Sequence, residues 1–159
     1  MEVVIDFEYL RGRQNEIIVK EEAVAGENVS DSFRFESPYH MAPHGSTKNG
    51  LNWDDGNRAH HKLVTILKEA VVEFAHLYSF GITKCRFLSE LLEYPILNLE
   101  GFGCPQPKSF KSKFSCSLPS HKFHAHALYD WLMYHLRAKS YVRCPPDMTR
   151  HTSKFISTI

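Results

Sequence analysis

The chain has 159 residues, of which 43% are hydrophobic and 23% charged, with a formal net charge of +1. Those values fit one folded, soluble domain with a single core, and the net charge neither demands nor excludes a nucleic-acid partner. No apolar run approaches the ~18 residues that a membrane-spanning helix needs, and no basic-then-apolar leader opens the chain. An intracellular setting, cytoplasmic or nuclear, is therefore expected, with Cys85, Cys104, Cys116 and Cys144 reduced.

In chain order, residues 2–9 read as a mostly apolar strand whose polar residues come near its end. A turn through Gly12 and Asn15 leads to a β-branched strand at 16–24. A second turn at Gly26 and Asn28 leads to an alternating strand at 29–35. Short turns between successive strands predict an antiparallel meander. Residues 37–57 carry glycine and proline without periodicity and are expected to form a loop. From residue 58 the apolar positions Leu63, Val64, Leu67 and Ala70 follow helical spacing, which predicts a helix to about Glu69 and then a strand over 71–77. A short amphipathic helix is expected at 84–92 and a short strand at 95–99. A long loop follows at 101–122, then a helix at 124–137 with Leu128, Trp131, Leu132 and Leu136 on its apolar side. Residues 1–139 are expected to form the domain and 140–159 an irregular tail. Antiparallel strands followed by alternating helices and strands predict an α/β fold, a mixed sheet with helices on its faces.

Asp6-Phe7-Glu8 is the most informative triplet. Residues two apart in a strand share a face, so Asp6 and Glu8 project together from the end of an apolar strand. Two carboxylates that close repel each other and attract a hard cation such as Mg²⁺ or Mn²⁺. The segment Val3-Val4-Ile5-Asp6-Phe7-Glu8, opening a meander of three strands, resembles the first motif of the DEDD-type 3′–5′ exonucleases. The resemblance implies a ribonuclease H-like fold over roughly residues 2–137, with Asp6 and Glu8 holding two divalent metals for phosphodiester hydrolysis. It places the first strand inside the sheet, with its paired acids facing a cleft beside a helix.

The later motifs depart from that pattern. An Asp is expected three residues before a Phe-Leu pair, but Lys84 stands there, before Phe87-Leu88. A lysine opposes a metal at that point, and its ammonium can take the cation's place. The last motif, a His followed after four residues by an Asp, is met only roughly. His126 to Asp130 is one residue short and His124 to Asp130 is one too long; an alternative alignment puts His124 where the final Asp belongs. Asp54, Asp55, Glu100 and Asp130 are the remaining acids that the fold would have to deliver. The resemblance thus implies an incomplete carboxylate set, with nuclease activity weak or absent.

A second constellation lies later. Cys104, Cys116, His121, His124 and His126 carry zinc-type donors, and a zinc there would tie the long loop to the last helix. The arrangement also resembles Maelstrom-type domains and exonuclease-like proteins of mobile elements. The Maelstrom-type domains lack the catalytic acids and carry a Glu-His-Cys-Cys zinc site; Glu100 would supply the acid.

Two functions follow as expectations. One is a module that binds or processes nucleic acid, single-stranded DNA or RNA, with a His (His124 or His126) as general base where it is active. The basic residues concentrated between Lys108 and Lys154 would grip the backbone. The other is a non-catalytic, zinc-stabilised interaction module.

Overall fold

The computed structural model describes residues 1–41, 47–48, 51–110 and 120–143, apart from the side chains of 47, 48, 120, 121, 123 and 139–143. Strand β1 (Glu2–Arg11) pairs antiparallel with β2 (Ile17–Gly26), and β2 pairs antiparallel with β3 (Val29–Arg34). The reversals fall where the sequence puts its turns. Asn15 and Asn28 supply the positive φ values of 62° and 64° that close them. Residues Thr47–Lys48 (β4) and Leu51–Asn52 (β5) pair as a small hairpin inside the expected loop. Helix α1 (Leu63–Val71) leads to β6 (His76–Ser79), and α2 (Ile82–Leu92) leads to β7 (Ile96–Asn98). Helix α3 (Ser120–Arg143) is the last described element.

The main sheet has the order β3-β2-β1-β6-β7, with β6 parallel to β1 and β7 parallel to β6. The chain is thus an α/β protein with a mixed sheet of five strands, and β1 is its middle strand. A central strand must be apolar on both faces, and Val3, Val4, Ile5 and Phe7 are fully buried. Ile5 and Phe7 pack with Leu63, Leu67 and Val71 of α1 and with Leu88 and Leu92 of α2. Val4 faces the other way, against Leu128 and Leu132 of α3. Each helix presents a stripe at helical spacing, and burying each such Leu contributes about 2 kcal/mol.

Part of the contact between α3 and the sheet is made by small residues. Ala23 and Ala25 on β2 meet Ala125 on α3, all three fully buried. Without side chains beyond Cβ, the start of α3 sits low over β1 and β2.

Several boundaries differ from the sequence reading. The helix expected from residue 58 begins as a single 3₁₀ turn at His60–Lys62 and becomes α-helical at Leu63, running to Val71. The strand expected from 71 begins at His76. Val71 and Val72 are β-branched and look strand-like, but Val71 packs on the core and Val72 is exposed at the helix end. A turn closed by Phe74 N–H donating to the Val71 carbonyl then starts the strand late. Helix α3 starts before residue 124 and passes the expected end of the domain at 139, reaching Arg143. Residues 144–159 of the expected tail, and 111–119 of the expected loop, lie outside the described residues.

Candidate functional site

Asp6 lies midway along β1 on the face that α3 covers, and its side chain is 0% exposed. Glu8, two residues on, shares that face and is half-buried. The register puts Glu21 of β2 directly opposite Glu8, so three acids meet at this end of the sheet. Glu21 is neutralised by Arg34 of β3, whose Nη2 is 2.9 Å from its Oε1.

The neutralising charge for Asp6 comes from Lys84, whose Nζ donates to Asp6 Oδ1 at 2.8 Å. Local structure explains its position. Strand β6 runs parallel beside β1 and is tied to it by Ser79 Oγ, which donates to the Ile5 carbonyl at 2.7 Å. The chain turns through Gly81, at φ 93°, straight into α2, so the first turn of α2 sits beside Asp6. Asn98 at the end of β7 holds that turn, its Oδ1 accepting from the Gly81 N–H at 2.9 Å. A lysine in the first turn of a helix is opposed by the helix dipole. Burial also works against its charge, but the carboxylates of Asp6 and Glu8 outweigh it, so the Lys84 pKa is raised and the ammonium persists.

The other oxygen, Asp6 Oδ2, is buried and makes no hydrogen bond among the described residues. His124 of α3 approaches it, with Nδ1 at 3.9 Å. Ligand atoms of Asp6, Glu8 and His124 all lie within 4.8 Å of one another, which is close enough to hold a metal ion.

Other residues singled out in the sequence fall elsewhere. His126, one position past Ala125, points to the edge strand, where its Nε2 shares a hydrogen bond of 2.8 Å with Ser30 Oγ. Burial, with Lys122 adding to it, lowers its pKa. Asp130 is exposed on α3, and Glu100 is exposed in the 3₁₀ turn Leu99–Phe102. Asp54 and Asp55 are exposed in the segment after β5. None of these acids joins the Asp6 group. The position beside Asp6 and Glu8 where a third carboxylate was sought is taken, among the described residues, by an imidazole and an ammonium.

For the zinc set, Cys104 is buried among Val4, Tyr78, Leu99, Leu128 and Leu132. Burial pushes its thiol up to about 12, so the thiolate that zinc requires is disfavoured. No cluster of three or more ligands containing Cys104 forms among the described residues. Cys116 and the side chain of His121 lie outside them. Cys85 is a core residue of α2, its thiol pushed up to about 11 by burial.

Two buried ionisable side chains escaped the sequence reading, Lys20 and Glu22 on β2. Lys20 sits at a bulge, since the register passes from Glu8↔Glu21 to Tyr9↔Val19 and skips it. Its ammonium donates to Ser37 Oγ and to the carbonyls of Trp53 and Asp55, pinning residues 51–55 over the end of the sheet. The next residue, Gly56 at φ 133°, has no room for a side chain, because a Cβ would stand 2.3 Å from the Phe35 carbonyl. The available signal was the run Lys20-Glu21-Glu22, three charged residues in succession inside an otherwise apolar strand.

None of the protein-family models, curated proteins or solved structures compared with the chain matches it.

Proposed function

We propose that the chain is a nucleic-acid-binding module on a ribonuclease H-like, exonuclease-type scaffold whose two-metal hydrolytic centre is disabled by its own lysine. The observation that carries the reading is the ammonium of Lys84 at 2.8 Å from Asp6, a fully buried acid on the middle strand of the sheet. Two-metal hydrolysis needs several carboxylates holding ions about 3.5–4 Å apart. Two carboxylates, one of them already neutralised, do not fit that pair of ions. No hydrolytic step is therefore assigned to it.

The order β3-β2-β1-β6-β7, antiparallel and then parallel, supports the scaffold assignment. Binding rests on charge. Basic residues from Lys108 to Lys154 outnumber the acids of that stretch, and they would meet phosphates along α3 and its flanks.

The test pairs binding with turnover. Fluorescence anisotropy with labelled single-stranded DNA and RNA should give saturable binding that weakens steeply with salt. A single-turnover assay with Mn²⁺ should give no more product than Asp6→Asn. Absence of saturable binding at low salt would remove the nucleic-acid reading. Mn²⁺-dependent cleavage that disappears in Asp6→Asn would show instead an active nuclease.

A further inference from the structure

The mismatch between the Asp6 group and a two-ion centre has a second consequence, which does not depend on nucleic acid. Asp6 is a divided ligand. One oxygen receives the Lys84 ammonium at 2.8 Å, while the other is buried, makes no hydrogen bond among the described residues, and has His124 Nδ1 at 3.9 Å. A wholly buried carboxylate oxygen in that state has lost its water without a replacement partner, which is unfavourable. A bound cation would supply that partner.

We infer that this group is a site for one zinc-type divalent ion, held by Asp6 Oδ2, Glu8 and His124, with Lys84 beside Oδ1 excluding a second ion. The donor set decides the chemical class. Mg²⁺ takes oxygen ligands in a near-octahedral shell, whereas imidazole nitrogen favours zinc and its neighbours. Two carboxylates and one imidazole, with a fourth position open to water, match the ligand number and type of an open zinc site.

Geometry allows it with small adjustments. Tetrahedral zinc with bonds of about 2.1 Å sets its ligand atoms about 3.4 Å apart. The three donor atoms already lie within 4.8 Å of one another, with His124 Nδ1 3.9 Å from Asp6 Oδ2. Asp6 is fixed by the sheet and by Lys84. Glu8 and His124 are half-buried side chains that can close the remaining distance by rotation. Charge also suits one ion and not two. With the Lys84 ammonium against Asp6, two carboxylates facing one divalent ion give a site of net charge +1, and a second divalent ion would raise it to +3.

The experiment is calorimetric titration of the full chain with Zn²⁺ and, separately, with Mg²⁺, without nucleic acid. Glu8→Gln and His124→Ala are compared with the parent, and thermal melts in the absence of metal check that each variant folds. Because the cysteines and other histidines can also bind zinc, the readout is the difference between parent and variant. The expected result is one Zn²⁺ equivalent that each substitution weakens at least tenfold. Mg²⁺ at millimolar concentration should leave it undisplaced. Co²⁺ in place of Zn²⁺ should give a visible absorption band in the parent that is lost in His124→Ala, which a purely structural role for His124 would not produce. Identical zinc stoichiometry and affinity in the parent and both folded variants would overturn the site. Displacement of the ion by millimolar Mg²⁺ would overturn its assignment to the zinc class. Either failure leaves the nucleic-acid reading intact, since no nucleic acid is present.

Discussion

Asp6 on the α3 face of the sheet and Glu22 on the opposite face are both fully buried acids, on adjacent strands. Asp6 has the Lys84 ammonium at 2.8 Å. Glu22 lies in register between Phe7 and Phe33, and neither of its oxygens meets a hydrogen-bond partner among the described residues. The physical outcome differs accordingly. Burial, with Asp31 adding to it, pushes the Glu22 carboxyl up to about 8, so it is held mainly as the neutral acid at pH 7. A buried carboxylate keeps its charge where the fold supplies a cation and takes up a proton where it does not. Among the described residues, only the first has further ligand-type groups beside it, Glu8 and His124, which is why the proposed site lies on the α3 face.

The largest effect expected from this contrast is a pH slope. The raised Glu22 pKa means that its stability contribution is complete below pH 4.5, where both folded and unfolded chains are protonated. It is lost progressively up to about pH 8, because the unfolded chain ionises first. The loss is on the order of 4–5 kcal/mol. Urea melts between pH 5 and 8 should show the parent weakening with pH and Glu22→Gln nearly flat over that window. A parallel slope in both proteins would break the contrast. The Lys84 pKa, being raised as well, gives a contribution that is complete below 10.5 and lost as pH climbs through its folded value, well above the Glu22 window.

Next in size is the loss of the ion pair. Lys84→Met leaves Asp6 buried and unpaired, and it should cost about 3–4 kcal/mol at pH 7. Adding Asp6→Asn to that variant should restore much of the loss, and denaturant melts of the two single variants and the double variant give the coupling. Additive effects would mean that the two side chains do not interact as their geometry indicates.

The smallest effect tests the helix approach that brings His124 to Asp6. Ala125→Leu puts a large side chain between α3 and the pair Ala23 and Ala25, and it should cost about 1–3 kcal/mol. It should also weaken zinc binding, because the start of α3 must lift. Unchanged stability and unchanged zinc affinity would show that the close approach is not what positions His124.

By itself the sequence determined the element types and the α/β class. Short apolar or alternating runs bounded by turns in the early strands, and apolar spacing of about 3.6 in the helices, are local properties, and they survive without knowledge of the partners. The same local rule put Asp6 and Glu8 on one face. Helix ends were less legible, since Val71 and Val72 suit a helix end or a strand equally until the core chooses.

Only the tertiary structure decided which groups meet. The contact between Lys84 and Asp6 spans 78 residues of chain, and that between His126 and Ser30 spans 96. Nothing local could tell that His124 faces the acids while His126, two residues on, faces the edge strand. A helix advances about 100° per residue, so that choice was fixed by which stripe of α3 packs on the sheet. Likewise the burial of Glu22 without a partner depends on side chains stacked above it from other strands and helices, because desolvation is a property of the packed interior and not of the residue.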